Sequence, residues 1–360
     1  MTEQLWVEAS APSNIALIKY MGKADARLNV ATNSSLSYTL ENLRTFVRIR
    51  RIPELNSEPK SEFYSESKSE LPSKLFSKLN SDSWSPYERA DLRPIQLSEK
   101  GLTKFLGHFD FLKRQFGLCG SFEIQSANNF PSDCGLASSA SSFAALTLAA
   151  HEFYLIDTQA TSGASQTKKE FSRAQLAALS QMGSGSSCRS FFEPWSLWLT
   201  SGAERIELPY TSLKHQVLLC DESIKAVSSS EAHMRVLTSD MFSGRTNRAE
   251  ERLKDFVSAV RNENWKSAFE ICWSEFWDMH VLFQTSRPAF FYMNAATLSA
   301  LQLLHNSWVT NSDGPIITMD AGSNIHLLYR PDQTAIYKKI IAEFNPIMPI
   351  WTDEGYLAKI

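Results

Sequence analysis

What the sequence has little of already removes several possibilities. Cysteine occurs five times, at 119, 134, 188, 220 and 272. Odd in number and scattered, with no C-x-x-C pair, these residues make neither a disulfide framework nor a zinc knuckle, and they fit a reducing cytoplasm. No apolar run approaches the roughly 18 residues that a membrane span requires. Met1–Ser10 has neither the basic region nor the apolar region of a signal peptide. An excess of either charge is missing too: 36 Lys and Arg against 39 Asp and Glu leave a formal charge of −3. No overall basic field is therefore expected to recruit nucleic acid. No internal repeat of fixed period is visible.

What remains is an ordinary globular composition, 43% hydrophobic and 21% charged over 360 residues, which excludes collagen, coiled coil and a wholly disordered chain. At roughly 100–200 residues per domain, the length corresponds to about two domains. Ser35–Leu40 and Thr45–Arg50 alternate with period two, and Phe122 and Ile124 mark a strand over 121–127. Leu102, Phe105, Leu106, Phe109 and Leu112 share one face of a helix over 102–116. Small apolar residues from Leu136 to Tyr154 predict a buried helix. Another is expected over 171–181, a core strand over 216–220, and one or two long helices over 247–284. Two further strands, 315–320 and 325–329, flank the turn Ala321–Asn324. Helices and strands are mixed, so the class is α+β or α/β, with a boundary near 208–212. A serine-rich insert, about 56–85 with ten serines, reads as a long surface hairpin or solvated excursion.

Four loops carry residue types suited to chemistry. The run from Pro131 to Ala140 leads out of a strand into a helix. Gly135 lets backbone approach a ligand, Ser138 and Ser139 offer hydroxyls, and first-turn N–H groups with the helix dipole favour an anion. The same composition also suits an N-capped core helix, and no Gly-Lys-Ser/Thr follows, so it is not a Walker A loop. In Gly183–Ser190, Cys188 stands where a dinucleotide pattern needs its third glycine. Its four serines and Arg189 suit a carboxylate or phosphate, or simply a loop between helices. In Asn14–Lys23, Lys19 leaves an apolar run and needs a partner if buried. Lys23 suits a phosphate, although both lysines also read as surface residues. Asp320 ends an apolar strand, where it is either buried and paired or a turn cap. His280 lies on an apolar helix and reads as a core histidine.

Taken in order, these segments resemble the GHMP kinase superfamily, whose phosphate loop has the form Pro-x-x-x-Gly-Leu-x-Ser-Ser-Ala. Pro131, Gly135, Leu136, Ser138, Ser139 and Ala140 fill it. Within the superfamily the chain is similar to the diphosphomevalonate decarboxylase family. The similarity lies in NIALIKYMGK (14–23), NNFPSDCGLASSAS (128–141), GSGSSCRS (183–190), VSSSEAHM (227–234), FFYMN (290–294) and MDAGSN (319–324). It runs from about residue 10 to 330, with the insert outside it.

The resemblance implies a two-domain α+β GHMP fold. A mixed-sheet ATP-binding domain would span 1–210 with the insert, a ferredoxin-like α+β domain 211–360, and the site would lie in the cleft between them. It implies that Mg-ATP phosphorylates the tertiary 3-hydroxyl of 5-diphosphomevalonate, and that loss of phosphate and CO2 then gives isopentenyl diphosphate. Asp320 would orient or deprotonate that hydroxyl beside Lys19, and Arg189 would clamp the C1 carboxylate. Tyr20, Met21, Gly22, Lys23, Ser184, Gly185, Ser186, Ser187, Cys188 and Ser230 would form the rest of the substrate pocket. Pro131, Gly135, Leu136, Ala137, Ser138, Ser139 and Ala140 would hold ATP. Magnesium would ride mainly on the ATP phosphates, with Ser139 as the candidate contact from the protein. A cytoplasmic homodimer is implied, whose partner is phosphorylated mevalonate rather than nucleic acid or membrane.

The sequence departs from the family pattern at four places. Met21 stands where a tryptophan is usual, and FFEPWSLW follows Arg189-Ser190 in place of a glycine-richer stretch. Ala232 and His233 precede Met234 where the family usually has a glycine before the methionine. The insert interrupts the region of an arginine that contacts the diphosphate, for which Arg89 and Arg93 are the candidates. These departures bear on the exact substrate and leave 5-phosphomevalonate as an alternative. A GHMP kinase that stops after phosphorylation is a second alternative, disfavoured by the presence of both Lys19 and Asp320. A non-catalytic nucleotide-binding relative is a third.

Overall fold

The computed structural model describes residues 5–25, 28–53, 82–131, 138–161, 169–223 and 225–360. Strand β1 (Val7–Ile18) runs antiparallel to the long strand β4 (Ser35–Arg51), and a short ribbon of β2 (Lys23–Asp25) and β3 (Val30–Ala31) lies between them in sequence. The two alternating stretches of the sequence are thus one strand. Glu41 and Asn42 are exposed at its middle, where its second partner changes from one neighbour to another. Next come β5 (Ser83–Pro86), β6 (Arg93–Pro94), helix α1 (Glu99–Phe116), β7 (Phe122–Asn128), helices α2 (Ser138–Thr161) and α3 (Arg173–Gly183), and a 3-10 helix over Gly185–Phe191. The hairpin β8 (Trp195–Leu199) and β9 (Gly202–Arg205) completes this sheet in the order β5-β7-β4-β8-β9, with β1 added along β4 and β6 on β7. β5 and β7 are parallel and the other pairs antiparallel, so the sheet is mixed.

Two expectations need correction here. The last residues assigned to the solvated insert belong to β5, and Trp84 Nε1 donates to Ser126 Oγ at 2.8 Å; residues 54–81 lie outside the described ones. The segment 183–190 is not an open loop but continues α3 into the 3-10 helix. Small and polar residues keep three-residue bonding there, with the Ser187 N–H donating to the Ser184 carbonyl at 2.9 Å and the Phe192 N–H to the Arg189 carbonyl at 3.3 Å.

Helix identities follow from local chemistry. α1 starts at Ser98, whose side chain accepts from Gly101 N–H, and stops at Gly117 in the left-handed conformation. Ser172 and Gln175 form a reciprocal cap on α3. α2 is rich in small apolar residues, and Ala144, Ala145, Ala149 and Ala150 are fully buried, so it can sit close against the sheet.

The second half contains β10 (Lys214–Leu218), α4 (Ser229–Arg235), α5 (Arg245–Arg261), α6 (Trp265–Thr285), α7 (Ala295–Asn311), β11 (Ile316–Thr318), β12 (Ile325–Tyr329), α8 (Thr334–Phe344), β13 (Ile350–Thr352) and β14 (Gly355–Leu357). Its strands form an antiparallel sheet in the order β11-β12-β10-β13-β14. The long helical stretch is two helices, parted at Glu263, which takes a φ of 55°. One apolar cluster joins the two halves: Ile15, Leu17 and Trp195 of the first sheet share it with Val217 and Leu327 of the second and with Phe256 and Phe276 of α5 and α6. The end of β1 is thereby seated between the halves. No helix among the described residues is long and apolar enough to cross a membrane.

Candidate active site

Where β1 ends, its next residue, Lys19, is nearly sealed in protein, and its Nζ donates to Asp320 Oδ1 at 2.7 Å. The two side chains are 2% and 27% exposed, so the carboxylate is the member that meets the cleft. Burial pulls the Lys19 ammonium below the ordinary lysine value, against the opposing pull of Asp320. For Asp320, burial acts upward, but Lys19, His326 and Arg189 outweigh it and hold the carboxyl below the usual carboxylate range. Asp320 is therefore an ionised base at neutral pH. His280 of α6 is buried, and its Nε2 donates to the Asp320 carbonyl at 3.1 Å, steadying the residue from behind.

The backbone of Lys19 is gripped as firmly as its side chain. Its N–H donates to Glu275 Oε1 at 2.9 Å, and its carbonyl accepts from Arg245 Nη2 at 3.0 Å and Asn33 Nδ2 at 2.9 Å. Arg245 and Glu275 are fully buried and paired with each other, and Arg252 Nη1 adds a contact to Glu275 at 2.9 Å. A charged pair shared by α5 and α6 thus fixes the end of β1. Sequence reading missed it, although Glu275 on the apolar stripe of Cys272, Phe276 and Met279 was a usable signal, since an unpaired carboxylate is rarely buried.

The 3-10 helix presents Arg189 from the opposite side. Its Nε donates to Asn14 Oδ1 at 3.0 Å and its Nη1 to Ser35 Oγ at 2.8 Å. With three residues per turn, Ser186 and Arg189 share the face toward the cleft. Gly185 cannot carry a side chain, because a Cβ would lie 2.7 Å from Tyr20 Oη. Gly22 has a φ of +100° and closes the turn that follows.

A cleft of about 750 Å³ gathers Lys19, Tyr20, Met21, Lys23, Arg189 and Asp320 with Ser138 and Ser139, and also with Ser184, Gly185, Ser186 and Ser230. Other expected site residues stand elsewhere. Ser187 faces away, bonded to Ser180 Oγ and the Ser184 carbonyl, and Cys188 is packed into the core, so neither reaches the cleft. The three-residue repeat turns them inward. Gly22, Pro131 and Ala140 do not line the cleft, Ala140 being buried in α2. Gly135, Leu136 and Ala137 lie outside the described residues. Arg89 pairs with Glu8 and Asp91, and Arg93 stacks near Trp351 and Tyr356; neither lines the cleft, which corrects both as candidates for a diphosphate contact there.

Cations that the sequence did not single out stand in the cleft instead. Lys104 of α1 is pulled down to about 8 by burial, with Lys23 and Lys100 adding repulsion. Lys225 Nζ donates to the Ala321 carbonyl at 2.7 Å. In sequence each looks like a surface lysine. Among the described residues Asp320 is the one carboxylate on this wall, against Lys19, Lys23, Lys104, Arg189 and Lys225, so the cleft suits a multiply charged anion. Among the described residues, no three His, Cys, Asp or Glu side chains gather to hold a metal ion. Near Ser138 and Ser139 the donors are hydroxyls, a set that fits a hard cation carried on phosphate oxygens.

Known proteins resemble the chain over nearly its whole length. A family model described as diphosphomevalonate decarboxylase-like N-terminal domain matches residues 11–207, and one described as mevalonate 5-diphosphate decarboxylase C-terminal domain matches residues 216–356. The diphosphomevalonate decarboxylase of Debaryomyces hansenii is 30% identical, over 95% of this chain and 84% of that protein. A mevalonate diphosphate decarboxylase from Legionella pneumophila superposes with a TM-score of 0.80 at 41% identity, over 94% of this chain and 97% of that one. A structure described as MDDEF in complex with MVAPP, AMPPCP and magnesium superposes with a TM-score of 0.74 at 26% identity, over 95% and 94% of the two chains.

Proposed function

The chain belongs to the diphosphomevalonate decarboxylase family, and on that premise we propose that Asp320, Lys19 and Arg189 carry out the family's reaction in the cleft. The enzyme uses ATP with Mg2+ to convert 5-diphosphomevalonate into isopentenyl diphosphate, ADP, phosphate and CO2 by way of a 3-phosphorylated intermediate. The observation that carries the assignment of residues is the 2.7 Å Lys19–Asp320 pair on the cleft wall.

Asp320 accepts the proton of the tertiary 3-hydroxyl, for which it must be ionised, and Lys19 keeps it so. The buried ammonium also offsets negative charge that develops as the oxygen attacks. Ser138, Ser139 and the first turn of α2 hold the nucleotide's phosphates. Magnesium, when bound with ATP, neutralises the charge of those phosphates. Arg189, with two of its nitrogens already fixed by Asn14 and Ser35, turns the rest of its guanidinium to the C1 carboxylate. That clamp keeps the C–CO2 bond aligned with the departing phosphate. Lys23, Lys104 and Lys225 balance the remaining anionic charge. The reading divides the chain near 210 into a nucleotide-binding part and a second domain, and includes a homodimer located in the cytoplasm.

A coupled ADP assay with Mg-ATP tests the reading, run in parallel on mevalonate, its 5-phosphate and its 5-diphosphate with CO2 collected. Equal amounts of ADP and CO2 from the 5-diphosphate are expected. ADP without CO2 would mark a kinase, and no turnover at all a nucleotide-binding relative. Arg189→Lys should lower kcat/KM for the phosphorylated substrate roughly 10²-fold, because one ammonium cannot reproduce a fixed, planar two-point contact. A near-normal value would remove Arg189 from the substrate site.

A further inference from the structure

His233 is the one histidine on the wall of the cleft among the described residues. It comes from α4, in the segment where the resemblance leads one to expect a glycine before the methionine. Its ring lies over Tyr20, with centroids 4.3 Å apart and planes 23° from parallel, and Trp198 supports Tyr20 edge-on at 4.8 Å. His233 Nδ1 accepts the Gly22 N–H at 3.1 Å. A ring nitrogen that accepts a hydrogen bond carries no proton, so a neutral imidazole must carry its proton on Nε2. The ring is neutral: burial, with Lys23, Arg189 and Lys104 nearby, pulls it down to about 3. Among the described residues Nε2 has no hydrogen-bond partner, and it is not among the sealed polar atoms, so it is the polar atom that His233 shows to the cleft.

We propose that His233 is a substrate-binding residue whose Nε2–H donates to a phosphoryl oxygen of 5-diphosphomevalonate, in the corner formed by Tyr20 and Lys23. This contact rests on the family reading of the cleft and deepens it. The chemistry suits the corner. A further cation beside Lys23, Lys104 and Arg189 would be costly to bury, whereas a neutral donor adds a directed bond to an anion without adding charge. The Gly22 N–H fixes the tautomer and the Tyr20 ring fixes the plane, so the donor is aimed before substrate arrives.

Two substitutions in the full-length enzyme separate binding from space filling. His233→Asn keeps an acceptor for Gly22 but has no donor at the Nε2 position. His233→Gln extends an amide N–H to that position and fills most of the ring's volume. The Asn variant is expected to raise KM for 5-diphosphomevalonate about tenfold, the low end for a lost bond to a charged group. Its kcat should stay within about twofold, with KM for ATP unchanged, and the Gln variant should recover most of the loss. The contact is overturned if Asn leaves the substrate KM unmoved, if KM for ATP and substrate rise together, or if Gln does no better than Asn. Failure of the unaltered enzyme to turn over 5-diphosphomevalonate would overturn the reading of the cleft and this contact with it. Normal turnover with an unmoved KM overturns the contact alone.

Discussion

Asp320→Asn is expected to lower kcat about 10³-fold, within the range for loss of a positioned base, while ATP affinity stays within about twofold of the original. The amide is nearly the same shape, so the turn at 320–324 and the bond from His280 to the residue's carbonyl remain. Two electrostatic contributions disappear together. The acceptor for the hydroxyl proton is lost, and Lys19 is left buried without its carboxylate partner, so burial, with Arg189 nearby, pulls it further toward the neutral form. Because the pair acts as one unit, a Lys19→Met, Asp320→Asn double variant should be little worse than the worse single one. Single-turnover ADP and CO2 formation, with nucleotide titration alongside, measures this. A kcat within tenfold of the original would show that the proton leaves by another route.

Arg245→Met should destabilise the protein by about 3–5 kcal/mol, the usual consequence of removing one member of a buried ion pair. Glu275 would remain fully enclosed, held only by the Lys19 N–H and by Arg252. Urea unfolding would show the loss as a lower midpoint with an unchanged slope. Replacing both charges, as in Arg245→Met with Glu275→Leu, should restore most of that stability, because apolar packing substitutes well for a buried pair. Activity should not follow. Lys19 would have lost the Glu275 acceptor and one of its two carbonyl donors, and a displacement of order 1 Å at a reacting group costs roughly 10²-fold. Recovery of stability and kcat together would show that the pair merely fills space.

These two experiments also mark the boundary of what the sequence disclosed. Asp320 and Lys19 were legible because each ends an apolar strand and so announces a charge entering the interior. The passage from loop into helix after Pro131 was legible in its small residues, and α2 begins at Ser138. Arg245 and Glu275 were not. Arg245, Arg248 and Arg252 recur at helical spacing on α5 and look like a solvated face until Glu275 and Asp278 of α6 are set opposite them. Lys104 and Lys225 fail for the same reason, since their importance arises only when distant segments meet. Helix α7 escaped notice because Leu298, Leu303 and Val309 are exposed, which blurs the apolar period. β5 was hidden by serines that continue from the insert into the sheet.

The two partners of the catalytic pair stand 301 positions apart in the chain. The serines proposed to hold nucleotide and the proposed base are therefore made far apart in synthesis, and the pair can form only once the second half of the chain has packed against the end of β1.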